Sequence, residues 1–234
     1  LLEPVEGRFV VQPVPARLGD GNDPDNNLYW GARHGVKTFF KNNGWKLMSV
    51  MISPEDGVMR RALFESPDGT ALLAADAYRG GRIKKAVSDF LDSASGRLGK
   101  SYIFPMDDWE FTFKTGGSAD LLAYVGHNGL MDFSLDEYPE AADDRERDAM
   151  VLACFSEEYF AKHLMKAGAR PVLTTRGLMA PEAYSLEAAV SAWLSGADER
   201  EIRESAALAY DNFQLTGMAS ARRLFGVIPA PQDK

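Results

Sequence analysis

Two short stretches carry side chains that could do chemistry together. Gly126-His127-Asn128-Gly129 follows the apolar run 120–125, and Ala153-Cys154 closes the apolar run 150–155. His127 and the chain's one cysteine, Cys154, stand 27 residues apart, each at the C-terminal end of an expected core strand. A thiol is a weak nucleophile until it loses its proton, and a nearby imidazole can take that proton and later pass it to a leaving amine. Glycines beside His127 allow backbone N–H groups to come close to a substrate carbonyl. Cys154 also precedes an expected helix opening at Ser156, whose N-terminal dipole favours a thiolate and a developing oxyanion. These are the parts of an acyl-transfer site. Each has an ordinary reading too. A lone cysteine on a buried strand is usually a small core hydrophobe, and Asn128-Gly129 is a turn signal on its own. What argues for chemistry is their joint placement at successive strand ends.

The elements that must position this pair are legible as an alternation of strand and helix. Runs 120–125, 150–155 and 171–175 read as strands of a parallel sheet, the first typical of its centre. Helices are expected after Ser156 (ending at Gly168), after Pro181 (ending at Gly196) and from Asp198 onward. In the first half, 8–14 reads as a strand limited by Pro13, 19–27 as a turn-rich loop, and 28–42 as an amphipathic helix stopped at Asn43-Gly44. The run 46–52 reads as a buried strand. Pro67-Asp68-Gly69 joins a hairpin, a helix spans Ile83 to Ala94, and a second hairpin uses 109–113 ahead of Gly116-Gly117. The expected fold class is therefore α/β, a three-layer α/β/α sandwich with a mainly parallel central sheet. It is expected as one domain over 1–234 with a short tail at 226–234. In open sheets of this kind the ligand site lies beyond the C-terminal strand ends, where His127 and Cys154 fall.

At this point the pattern resembles the caspase-like cysteine peptidases of clan CD, which include caspases, metacaspases, legumain, gingipains and clostripain. Those enzymes carry His-Gly after one core strand and Ala-Cys after the next. The resemblance runs from the helix after Asn27 to the helix beyond Thr175, with its specific part confined to 126–129 and 153–154. It implies a caspase-like fold, His127 as general acid/base and Cys154 as the nucleophile that forms a thioester. It further implies an oxyanion hole made by the Cys154 N–H and one from Asn128 or Gly129. By the same resemblance, the Asp23–Asn27 loop and the loop after Thr175 would wall the substrate pocket, with Asp25, Asn27, Thr174 and Thr175 as lining residues. The substrate would be a peptide or protein, with no cofactor and no metal required. Relatives commonly add strands across an interface, which allows a dimer. Three positions depart from the pattern: Asn128 follows the histidine, Leu152 precedes Ala-Cys, and Phe155-Ser-Glu-Glu158 follows the cysteine. They motivate a second expectation, a caspase-like scaffold that binds a peptide or partner protein without turnover.

Composition sets the outer bounds. Twenty-six basic against thirty-four acidic residues give a net charge of −8, which argues against a chain whose task is gripping nucleic acid or an anionic membrane. No apolar run approaches the roughly twenty residues a spanning helix needs. One cysteine excludes an internal disulfide and any Cys-rich zinc site, and an unpaired thiol favours a reducing cytoplasm. The chain begins at Leu1 rather than Met, which leaves room for upstream residues and for export. The remaining signals read as structure. Asp20–Asn27 is oxygen-rich but lacks the glycine of an EF-hand loop and has Pro24 at a ligand position, so it is expected as a solvated turn. His34 is expected on the first helix in a surface or helix-packing role, His163 as a partly buried packing residue, and 137–148 as a charged loop with a short helix. No P-loop, GxGxxG or GxSxG occurs.

Overall fold

The apolar run around Met150 is buried on both faces, and its alternation decides the architecture. In the computed structural model, which describes residues 2–5, 8–11, 14–105, 110–226 and 228, this run is a strand inside a mixed α/β fold. The first half holds a hairpin of β1 (Leu2–Val5) and β2 (Arg8–Val11), then α1 (Ala16–Gly19) and α2 (Val36–Asn42). An antiparallel meander follows, of β3 (Lys46–Glu55), β4 (Val58–Glu65) and β5 (Leu72–Tyr78). Next come α3 (Ile83–Ala94) and a hairpin of β6 (Gly99–Pro105) and β7 (Glu110–Gly116). The second half runs β8 (Leu121–Val125), β9 (Arg147–Leu152), α4 (Ser156–Lys166), β10 (Ala169–Thr175), α5 (Ala183–Leu194), α6 (Glu199–Gln214), α7 (Met218–Leu224) and β11 (Phe225–Gly226).

One four-stranded sheet, ordered β11-β10-β9-β8, organises the second half. Its β8, β9 and β10 are mutually parallel, and β11 adds antiparallel to β10. Side chains alternate across β9 and serve two cores. Ala149 and Val151, with Ala153 just beyond the strand, pack with Val87 and Leu91 of α3 and Phe160 and Leu164 of α4. Met150 and Leu152 pack with Phe40 of α2, Leu186 and Ala189 of α5, and Ile202 and Ala206 of α6. Ala62 and Phe64 of β4 join this second cluster, which docks the meander onto it. Leu152 has no exposed surface, so truncation to Ala would cost about 2–5 kcal/mol. Among the described residues, no helix is long and apolar enough to cross a membrane.

The helix α3, the β4–β5 hairpin, β10, α5 and α6 match their sequence-based expectations. Asp198 and Glu201 form a reciprocal capping box at the start of α6, at 2.8 and 3.0 Å. Several expectations are corrected. The helix expected from Leu28 begins only at Val36, because residues 28–35 fold into turns in which Asn27 O accepts three successive N–H groups. Gly35 makes this possible: a Cβ there would lie 2.4 Å from the Trp30 carbonyl carbon. The run 46–52 is an edge strand of the meander rather than a buried one, with Ile52 72% exposed. β8 is the edge of its sheet, not the centre. Segment 137–148 contains no helix, and it buries Arg147, whose guanidinium forks onto Asp143 and the Gly117 carbonyl. The α7 helix and β11 strand were not expected at all. Pro13, Trp109, and Val227 and 229–234 of the expected tail lie outside the described residues.

Candidate active site

The parallel ladder sets the register of the two reactive residues. Val125 of β8 pairs with Leu152 of β9, and the Gly126 N–H extends the pairing onto the Leu152 carbonyl at 3.1 Å. His127 and Cys154 each stand two residues beyond that paired rung, on adjacent strands at the same end of the sheet. Gly126 leaves the strand at φ +147°, a conformation reserved to glycine, and the Tyr29 ring packs 3.9 Å from where its Cβ would be.

Asn128 ties the two turns together. Its side chain is fully buried, donating from Nδ2 to the Cys154 carbonyl at 2.6 Å and accepting from the Leu130 N–H at 3.0 Å through Oδ1. The second bond caps a single 3-10 turn, Gly129–Met131, whose first N–H groups have no intrahelical acceptor. That turn delivers Asp132 to the imidazole: His127 Nε2 lies 2.5 Å from Asp132 Oδ2. The Tyr124 hydroxyl donates to the His127 carbonyl at 2.8 Å and holds the backbone below the ring. Both the His127 and Asp132 side chains are more than half exposed.

Cys154 is half-buried, and the chain turns sharply just after it. Phe155 adopts the left-handed conformation (φ 52°, ψ 33°), uncommon for a bulky residue, between strand and helix. The Phe155 N–H donates to the Gly177 carbonyl at 3.0 Å. Ser156 is not the helix cap expected from its type. Its hydroxyl donates to the Val151 carbonyl at 2.7 Å and accepts the Thr175 N–H at 2.8 Å, clamping the turn to β10. The sulfur itself meets the loop after β10: the Met179 N–H donates to Sγ at 3.4 Å, and Sγ lies 3.7 Å from the Met179 carbonyl. No hydrogen bond joins the His127 ring to Sγ: Nε2 meets Asp132, and Sγ meets the Met179 backbone. Two buried phenols stand near Cys154. Tyr29 is pushed up to about 12, chiefly by burial and then by the charges of Cys154 and Glu182. Tyr210 also rises to about 12, again first through burial, while its hydroxyl accepts the Ala180 N–H at 3.2 Å. Both stay protonated at neutral pH.

Of the other residues singled out from the sequence, Thr174 and Thr175 are fully buried and committed to structure. Thr175 donates to the Ala153 carbonyl, and Thr174 lies against Glu157 and the Gly226 carbonyl, so neither faces a substrate. Asp25 pairs with Lys37 at 3.1 Å and with Arg60 at 3.4 Å. The Lys37 hydrogen bond is the largest influence, and it holds that carboxyl below its ordinary range. Asn27 accepts the Tyr29 N–H at 2.9 Å and thereby aims the Tyr29 segment. The residues beside His127 and Cys154 that the sequence does not single out are Tyr29, Met179 and Asp132. The signal for Asp132 was its place one 3-10 turn after Asn128; for Met179 and Tyr29 none was visible.

His34 lies among Phe39, Tyr184 and Phe213, with Nδ1 3.7 Å from Glu182, and its carbonyl accepts the Ala183 N–H. His163 stacks on Tyr138 with ring centroids 3.6 Å apart. Among the described residues no group of three or more His, Cys, Asp or Glu side chains could hold a metal ion. In the Asp20–Asn27 loop, Asp20 and Asp23 accept from Asn22 and Asn26 and Asp25 serves its two cations. Two surface clefts lie elsewhere, one between α3 and residues 135–139 and one along α5 and α6. No protein-family model matches this chain, and neither a curated protein nor a solved structure matches it.

Proposed function

We propose that this chain is a cysteine peptidase with a caspase-like, three-layer α/β/α arrangement, in which Cys154 is the nucleophile and His127 the general acid/base. The observation that carries the reading is the shared register: one histidine and one cysteine, each two residues past the Val125–Leu152 rung, with their turns joined by the Asn128–Cys154 hydrogen bond. The left-handed Phe155 supports it, because backbone strain of this kind clusters at functional turns. Cys154 lies outside both the strand ladder and α4, so its N–H is available, as is that of Gly129 at the head of the 3-10 turn. These are the two oxyanion donors in the proposed site.

The chemistry then follows from the groups present. The thiol proton passes to His127 as Sγ bonds to the scissile carbonyl carbon, and backbone N–H groups hold the oxyanion. His127 gives the proton to the amine nitrogen as the C–N bond breaks, leaving a thioester. Water, deprotonated by His127, attacks the thioester; the acid departs and the thiol is restored.

A second reading has its own observation. The imidazole is engaged by Asp132 and the sulfur by Met179, rather than each by the other. This suits a scaffold that binds a peptide without cutting it. The deciding experiment is incubation of a mixed peptide pool with the parent, Cys154→Ala and His127→Ala, read by mass spectrometry. Cuts confined to the parent are expected. Equal cutting by either variant refutes the assigned roles, and no cutting by the parent favours the scaffold.

A further inference from the structure

The His127 imidazole has two nitrogens, and among the described residues only one of them, Nε2, has a partner. Nε2 meets Asp132 Oδ2 at 2.5 Å, and among the described residues this is the one ion pair either side chain makes. We infer that Asp132 is the positioning residue of the proposed dyad, holding His127 as the Nε2–H tautomer so that Nδ1 carries the lone pair that takes the thiol proton. The catalytic part of this inference rests on the peptidase reading; the tautomer part does not.

The surroundings make Asp132 more than a chance surface neighbour. Its N–H donates to the Gly129 carbonyl at 2.9 Å, which closes the 3-10 turn. The head of that turn is capped by Asn128 Oδ1, and Asn128 Nδ2 holds the Cys154 carbonyl. The contacts from the Cys154 carbonyl to the imidazole thus form a short circuit: Cys154, Asn128, the 129–131 turn, Asp132, His127. The Tyr124 hydroxyl fixes the His127 carbonyl from outside the circuit. An acceptor at Nε2 settles which ring nitrogen bears the proton, since in a neutral imidazole one nitrogen donates and the other accepts. Without that carboxylate the half-exposed ring is free to exchange tautomers with water and to rotate about its side-chain bonds. The nearest analogues of this logic are sites in which a third group orients the base. Here the third group lies five residues from the histidine it orients.

The test combines ring spectroscopy with kinetics on the full chain. Long-range proton–nitrogen spectra of His127, assigned by comparison with His127→Ala, should show the Nε2–H tautomer dominating when the ring is neutral. In Asp132→Ala the two tautomers should become comparably populated, and Asp132→Glu should restore the parent pattern in part. With a peptide that the parent cuts, Asp132→Ala should lower kcat about 10- to 100-fold with little change in KM, since the carboxylate is half in water and acts on the base alone. A parent ring with mixed tautomers, or an Asp132→Ala ring unchanged from the parent, overturns the inference. So does a loss in kcat without a tautomer change. The spectra need no turnover, so a parent that cuts nothing would sink the peptidase reading while leaving the positioning of His127 to be decided on its own.

Discussion

Asn128→Ala should destabilise the protein by about 3 kcal/mol. The side chain has no exposed surface and makes two bonds, to the Cys154 carbonyl at 2.6 Å and from the Leu130 N–H at 3.0 Å. Alanine removes both partners at once and leaves a buried acceptor and a buried donor, each worth about 1–3 kcal/mol when unpaired. Water admitted into the space of the lost amide offsets part of the summed ~2–6 kcal/mol, which places the expected total in the lower half of that range. For a chain of this size each kcal/mol corresponds to roughly 2–4 °C, so the midpoint of thermal unfolding should fall by about 6–12 °C. Urea denaturation gives the free energy directly, provided the slope is unchanged between variants. Asn128→Asp is a sharper version. It keeps the acceptor for Leu130 but turns a carboxylate oxygen toward the Cys154 carbonyl, so it should cost at least as much at neutral pH and recover in acid as the carboxyl protonates. A loss below about 1 kcal/mol in Asn128→Ala would mean that the Cys154 and His127 turns are not held together through this residue. Peptide cleavage should fall in the same variant at temperatures where it remains folded.

Two further perturbations probe the frame around the site. Arg61 is 3% exposed, donates to Asp76 (2.5 Å) and Glu55 (2.7 Å), and lies 4.0 Å over the Tyr102 ring, so Arg61→Ala should cost about 3–5 kcal/mol in urea by stranding Asp76, while Glu55 keeps Lys100. Arg61→Lys should recover only part, because an ammonium cannot reproduce the fork. His163, stacked on Tyr138, is pushed down to about 4 by burial and then by Lys162 and Lys166. Its folded value lies below the ordinary 6.5, so the unfolded chain binds the proton first. The contribution to stability is full above about pH 6.5 and is lost as pH falls toward 4. A nuclear magnetic resonance titration of His163 should show a midpoint near 4, and His163→Gln should flatten this part of the stability profile; a midpoint near 6.5 would contradict the burial argument.

The second half of the fold was legible because its physics is local. The apolar runs 120–125, 150–155 and 171–175 mark strands that the structure places at 121–125, 147–152 and 169–175, and α5 and α6 carry both their stripes and their stops. Ile202 and Ala206 fall on one face, and the Asp198–Glu201 box marks the start. Errors came where tertiary contact overrode a local pattern. Ala32 and Val36 have helical spacing, yet Gly35 lets the chain double back onto Trp30 and the helix is cut short. Ser156 has the type of a helix cap, yet its hydroxyl is claimed by Val151 and Thr175 from neighbouring strands. Lys46–Ile52 has the composition of a buried strand, but edge or centre is a property of the sheet and not of the strand. At the site, placing His127 and Cys154 at strand ends needed only periodicity. Finding Met179 needed the path of the loop after β10, and rejecting Thr174 and Thr175 as pocket residues needed their hydrogen bonds. Neither is written in spacing along the chain.

The most direct measurement of the Cys154 assignment is the mass of the intact chain after acid quench of a reaction with a mixed pool of peptides, followed by mapping of any adduct. A thioester-sized addition on Cys154, absent in Cys154→Ala and diminished in His127→Ala, is the expected result. Peptide cleavage that proceeds with no adduct on Cys154 and persists in Cys154→Ala would contradict it.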